Sequence, residues 1–152
     1  MLNAAGASEA RGVALLLTTM NRLHRQLDDF TTQLYIAFAF GDESGLVPSI
    51  RIEQRPAGPE LLLHHCFAFC PDVSELRFSA GATVTSDGWA VEALVDIDLD
   101  QPRGEFGAGL HTLHLERSDQ LSLEDALDRL TEQVAEMCRM DDIPRRLGFR
   151  AR

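Results

Sequence analysis

Asp96, Asp98 and Asp100 alternate along one apolar-polar run, so on an extended strand their carboxylates point the same way, about 6.6 Å apart. A neighbouring pair is a candidate cradle for a hard cation such as Mg²⁺ or Ca²⁺, with Glu75 expected opposite Asp100. Arg77 works against that use. The expected register sets it across from Asp98, where its charge offsets much of the cluster. The acids then read as a solvated face or as a patch for a partner's Arg or Lys, and no metal is assigned.

His64, Cys66 and Cys70 fall on one face of a second strand-like segment, with His65 on the other and His111 and His114 further on. These are zinc-ligand types, but their spacing resists convergence. In a continuous strand Cys66 and Cys70 stand about 13 Å apart, whereas donors to one ion meet within about 4 Å. His111 and His114 would point to opposite faces of a regular strand. A Cys–His nucleophile pair lacks an orienting third group or a helix N-terminus. Cys66 and Cys138 therefore read as small buried hydrophobes. The Gly104–Gly109 loop leads into a strand and carries Glu105, so it reads as a connection and not a phosphate cradle. No serine lies near a His–Asp pair at local spacing. No cofactor is expected.

The bulk composition narrows the chemistry further. The chain has 152 residues, about one domain, and all fourteen Lys+Arg residues are arginine. That excludes a P-loop lysine, a Schiff-base lysine and a lysine general base. Twenty-four acids give a net charge of −10, which argues against nucleic acid and anionic membrane as partners. Arg145, Arg146, Arg150 and Arg152 stand in a terminal segment without acids, so residues 1–144 carry ten arginines against 24 acids, a net of −14. Three cysteines without a CxxC pair suit a reducing compartment, and a cytoplasmic location is expected. Val13–Leu17 is too short for a membrane span and is preceded by Glu9 and Arg11.

The elements that must position these residues follow from periodicity. Residues 1–7 are expected to be flexible, 8–144 to form a single domain, and 145–152 to be a basic tail. That tail is either solvated or folded back on the acidic helix or hairpin as a counter-charge. Ser8 is the expected N-cap of a helix of about 23 residues with the seam Val13, Leu16, Met20, Leu23, Leu27, Phe30 and Leu34. Beyond Thr32 the period drops to two, so Leu34, Ile36, Phe38 and Phe40 predict a strand. Further strands are expected after the Gly41–Gly45 and Pro56–Pro59 turns, with Pro48 at a strand start or an edge. Asp87-Gly88 predicts a type I′ hairpin pairing Thr85 with Ala90, Ala80 with Val95 and Leu76 with Leu99. Its polar face would then pair Arg77 with Asp98 and Glu75 with Asp100. A short strand from Leu110 to Arg117 precedes a helix opening at Ser122, with the seam Leu123, Leu127, Leu130, Val134 and Met137, ended by Pro144.

The fold class expected is α+β in two layers: an antiparallel sheet of five or six strands, a long N-terminal helix and a C-terminal helix, both on one sheet face. The function expected is a non-enzymatic intracellular binding module whose acidic surface meets a basic protein. Its partner-binding residues would be Glu75, Glu92, Asp96, Asp98, Asp100, Glu124, Asp128 and Glu132. In size, charge and helix–sheet–helix order the chain is similar in outline to secretion chaperones, and in size and charge to toxin-immunity proteins. It lacks the mid-chain helix that such chaperones use to dimerise. The alternatives are a small-ligand or metal-dependent enzyme on the open sheet face, using Asp96, Asp98 and His64, and a structural subunit forming a homodimer through its N-terminal helix.

Overall fold

In a computed structural model of the chain, the described residues are 4–38, 45–55, 58–68 and 73–152. They form an α+β arrangement in which helix α1 (Ala4–Ala37) precedes strands β1 (Gly45–Arg55), β2 (Gly58–Ala68), β3 (Val73–Thr85), β4 (Gly88–Leu99) and β5 (Gly109–Gln120). Helices α2 (Leu123–Met137) and α3 (Ile143–Arg146) follow. The sheet is an antiparallel meander in the order β1-β2-β3-β4-β5. Pro48 lies inside β1, which among the described strands pairs with β2 alone, so its missing N–H falls in an edge strand. Phe40, Pro56 and Cys70 lie outside the described residues, as does most of the Gly41–Gly45 turn.

The N-terminal helix differs from expectation at both ends. It begins at Ala4, so Ser8 lies within the helix and is not its N-cap position, and the helix continues through the segment predicted as a strand. Leu34 and Phe38 are 3% and 6% exposed while Ile36 is 56% exposed, a four-residue step and not a two-residue one. Leu23, Leu27 and Thr31 lead into that stripe, and the Thr31 hydroxyl donates to the Leu27 carbonyl at 2.9 Å. Leu34, Ile36 and Phe38 satisfy both periods locally; the preceding turns decide in favour of the helix. Toward the N-terminus the seam gives out, with Val13, Leu15 and Leu17 exposed and continuous burial starting at Thr19.

One sheet face packs on the helices. Leu61 and Leu63 of β2, Leu76, Phe78, Ala80 and Ala82 of β3, and Val91, Ala93, Val95, Ile97 and Leu99 of β4 are buried there with the α2 seam. Phe78 is fully buried and meets Phe30 of α1 edge-on at 5.5 Å. Helix α2 starts as the sequence indicates: the Ser122 side chain accepts from the Asp125 N–H at 3.1 Å. Pro144 does not end α2; it opens α3, where its missing N–H costs nothing.

The β3–β4 hairpin keeps its expected faces but not its pairing. Thr85 pairs with Gly88, Ala82 with Val91, Ala80 with Ala93, Phe78 with Val95 and Leu76 with Ile97, a shift of two residues. The loop is Ser86-Asp87, and among the described residues only glycines have positive φ, so no type I′ turn forms there. Gly88 has φ 152°, and a Cβ there would run into the Gln120 carbonyl oxygen of β5. Its role is to let the neighbouring strand approach. A two-residue slip preserves side-chain parity, which is why the core set survives.

The last residues belong to the body. Ile143 and Leu147 are fully buried and Phe149 is 9% exposed. The Arg103 guanidinium covers the Phe149 ring at 4.2 Å, Arg146 pairs with Glu105, and Ala151 bridges to Phe38. Gly104 (φ 57°) admits the Arg146 carbonyl where a side chain could not fit. The segment thus folds back on the 103–106 loop and the end of α1, and among the described residues none of its arginines pairs with an acid of α2 or of the β3–β4 hairpin.

Candidate functional site

The sheet face opposite the helices is built from cross-strand rows. Leu62, Gly81, Glu92 and Arg117 form one row; Glu60, Thr83, Ala90 and Asp119 form the next toward the hairpin turn. On the other side lie Ser79, Leu94 and Leu115, then Arg77, Asp96 and Thr112. Gly81 leaves the centre without a side chain, since a Cβ there would stand 2.6 Å from the Leu61 carbonyl oxygen. The result is a hollow of about 660 Å³ lined by Leu62, Leu94 and Ala90 with Glu60, Glu92 and Arg117. Glu92 and Arg117 are Cα partners, yet neither forms an ion pair among the described residues. Leu115 is 61% exposed beside the hollow.

The aspartate run behaves differently from the sequence expectation. With the two-residue slip, Arg77 faces Asp96 and Glu75 faces Asp98, so the predicted Arg77–Asp98 and Glu75–Asp100 pairs do not form. Arg77 grips Asp96 with two bonds, Nε to Oδ1 at 2.7 Å and Nη2 to Oδ2 at 2.9 Å, and reaches Glu75 at 3.5 Å. Asp96 is 4% exposed, so it is removed from any partner surface and its oxygens are committed to a cation already present. Asp98 is half-buried at the Glu75 row, and Asp100 lies beyond the strand.

The remaining predicted partner residues fall elsewhere. Glu124, Asp128 and Glu132 are exposed on α2, which packs on the inner sheet face, so they lie on the opposite side of the molecule from Glu75, Glu92 and Asp98. Glu132 is also held by Arg129 at 2.6 Å. One flat partner cannot cover both groups.

The histidines and cysteines divide in the same way. His64, His65 and Cys66 take register positions in β2 opposite Ser79, Phe78 and Arg77. His111 and His114 do not point to opposite faces. The register moves from Val95–His114 to Asp96–Thr112, so Leu113 is an extra residue in β5, and His111 pairs opposite Ile97 as His114 pairs opposite Val95. Both therefore lie on the helix side. There His114 meets Glu116 and, from α2, Glu136, with their ligand atoms all within 4.8 Å of one another. Sequence reading missed Glu116, Glu136 and Arg129; the His114-x-Glu116 spacing was the available signal for two residues on one strand face. Cys138 packs beside the core with Sγ 4.0 Å from the Gln26 carbonyl, and burial pushes its thiol up to about 11. Cys138 is thus half-buried and not fully buried as its small apolar reading expected, and its raised thiol favours the protonated form at neutral pH.

No helix of the described residues is long and apolar enough to cross a membrane. Comparison with known proteins returns no matching family, no matching curated protein and no matching solved structure.

Proposed function

We propose that the protein is a non-enzymatic binding module whose open sheet face receives a partner protein presenting a basic side chain with an aliphatic stem. The observation that carries this reading is the hollow over Gly81, apolar along Leu62 and Leu94 and acidic at Glu60 and Glu92. An arginine or lysine lays its stem on the leucines and its charge against the glutamates. Leu115 extends the apolar contact, and Arg117 offers the partner a second, opposite charge. The commitment of Asp96 to Arg77 weighs against a metal-dependent enzyme on this face.

The test is a pull-down of the full chain from its native cytoplasm at low and high salt, with face variants as the discriminator. A stoichiometric partner lost in Glu92→Lys and Leu94→Arg but kept by Glu124→Lys and Asp128→Lys supports the reading. A partner lost only in the α2 variants overturns it.

A second reading, self-association, is favoured by the apolar side chains that α1 leaves uncovered at Val13, Leu15 and Leu17. Light scattering after gel filtration decides it: a monomer at high concentration rules it out.

A further inference from the structure

We propose that His114, Glu116 and Glu136 bind a first-row divalent transition ion of the zinc class, which staples edge strand β5 to helix α2. This site lies on the opposite side of the sheet from the partner face and stands independently of that reading.

The geometry is specific. His114 and Glu116 are two residues apart on β5 and pair opposite Val95 and Ala93, both fully buried, which turns their side chains toward the helix layer. Glu136 is the penultimate residue of α2. One nitrogen and two carboxylate oxygens thus come from two elements to lie within 4.8 Å of one another. Donors at about 2.1 Å from a tetrahedral ion are roughly 3.4 Å apart, so side-chain torsions alone draw them in.

The hydrogen bonding leaves the donors unspent. His114 Nε2 is buried from solvent and has no hydrogen-bond partner among the described residues; the nearest of their carboxylate oxygens, Glu116 Oε2, is 3.9 Å away. The other Glu116 oxygen, Oε1, is taken by Arg129, whose Nη1 also holds Glu132 at 2.6 Å. Arg129 therefore fixes the Glu116 carboxylate and leaves Oε2 turned to the imidazole, a second-layer support of the kind metal ligands use. Glu116, Glu132 and Glu136 carry three negative charges against one arginine. The balance of about −2 matches a divalent ion. A buried polar group on the same helix points the same way. By helical spacing Gln133 shares a side of α2 with Arg129 and Glu136; it is fully buried, and neither its amide nitrogen nor its oxygen has a partner among the described residues. A metal-bound water is a natural partner for such an amide.

The ligand chemistry selects the ion. An imidazole with two carboxylates suits zinc, cobalt or manganese, whereas Mg²⁺ and Ca²⁺ require six or more oxygens.

The experiment is titration of metal-stripped full-length protein with ZnCl₂ by calorimetry, and with CoCl₂ by visible absorption. One equivalent should bind, with Co²⁺ bands in the visible and no near-ultraviolet thiolate charge-transfer band. Zinc should raise the melting temperature. Glu136→Gln, which keeps the volume and the fold, should weaken binding at least tenfold and abolish the shift, as should His114→Ala. His111→Ala, whose Nε2 lies 2.6 Å from the Gly107 carbonyl oxygen, should leave both unchanged. Absence of a bound equivalent in the wild type overturns the proposal. So does a thiolate band, or undiminished binding in Glu136→Gln and His114→Ala.

Discussion

Arg77 and Asp96 stand opposite each other on β3 and β4 and share two hydrogen bonds, although a register shifted by two residues would have paired Arg77 with Asp98. The two side chains are unequally buried, Asp96 at 6% exposed and Arg77 at 33%. Arg77→Ala strands the deeper charge and should lower the unfolding free energy by about 2–3 kcal/mol. Asp96→Ala leaves a cation that can turn to water or Glu75, so its cost should be smaller. Arg77→Met combined with Asp96→Leu should recover most of the loss. Urea midpoints of the single and double variants measure this, and equal costs for the two alanines would contradict the burial argument.

The end of α1 offers a direct comparison of periods. Leu34→Ala should cost about 2–5 kcal/mol, while Ile36→Ala should change stability by no more than about 0.5 kcal/mol. A strand in this segment would make the two costs similar. Thermal melts of both variants distinguish the cases.

Leu147 is fully buried beyond α3, so Leu147→Ala should cost about 2–5 kcal/mol, and removal of residues 145–152 should cost more. The readout is the denaturation midpoint. Unchanged stability after truncation would mean that the terminal segment is not part of the core. Because the hollow over Gly81 is lined from β2–β5 and the hairpin turn, the same truncation should not expose it further to a partner.

Cys138 sets a pH limit. Burial raises its thiol to about 11, above the unfolded value, so the unfolded chain loses this proton first as pH rises. Its contribution to stability is complete below the ordinary thiol range and is lost as pH climbs through about 11. Melting temperatures of wild type and Cys138→Ala, measured from pH 8 to 11, should diverge less at the alkaline end. In a Cys66→Ser/Cys70→Ser background the remaining thiol should react slowly with a disulfide reagent at pH 8.

Much of this architecture is legible in local sequence. The Ser122 cap, the α2 seam and the inner faces of β3 and β4 depend on nearest-neighbour spacing, and a slip of two residues leaves strand faces intact. What was illegible depends on contacts made across the fold. Gly88 is one such position: Asp-Gly signals a turn, but the glycine answers to Gln120 on β5. Leu34 and Phe38 fit two periods, and only packing chooses between them. Among the candidate partner residues, Glu92 keeps the outer strand face that alternation gives it, whereas the carboxylate of Asp96 is closed off by Arg77. Leu113 is the residue whose insertion brings His114 and His111 to one side, and nothing in its own type announces a bulge.

The meander places every strand beside its sequence neighbour, whereas the closing contact of the molecule, Arg152 Nε to the Phe38 carbonyl, spans 114 residues. Hairpins of the first kind zip through small loops; the second must wait for a large one to close. The β3–β4 pair is thus the natural early event in folding, and the clasp between the end of α1 and the C-terminal segment is a late one. Weakening that clasp, as in Arg152→Ala, should accelerate unfolding while leaving the refolding rate nearly untouched, which makes it a device for kinetic persistence.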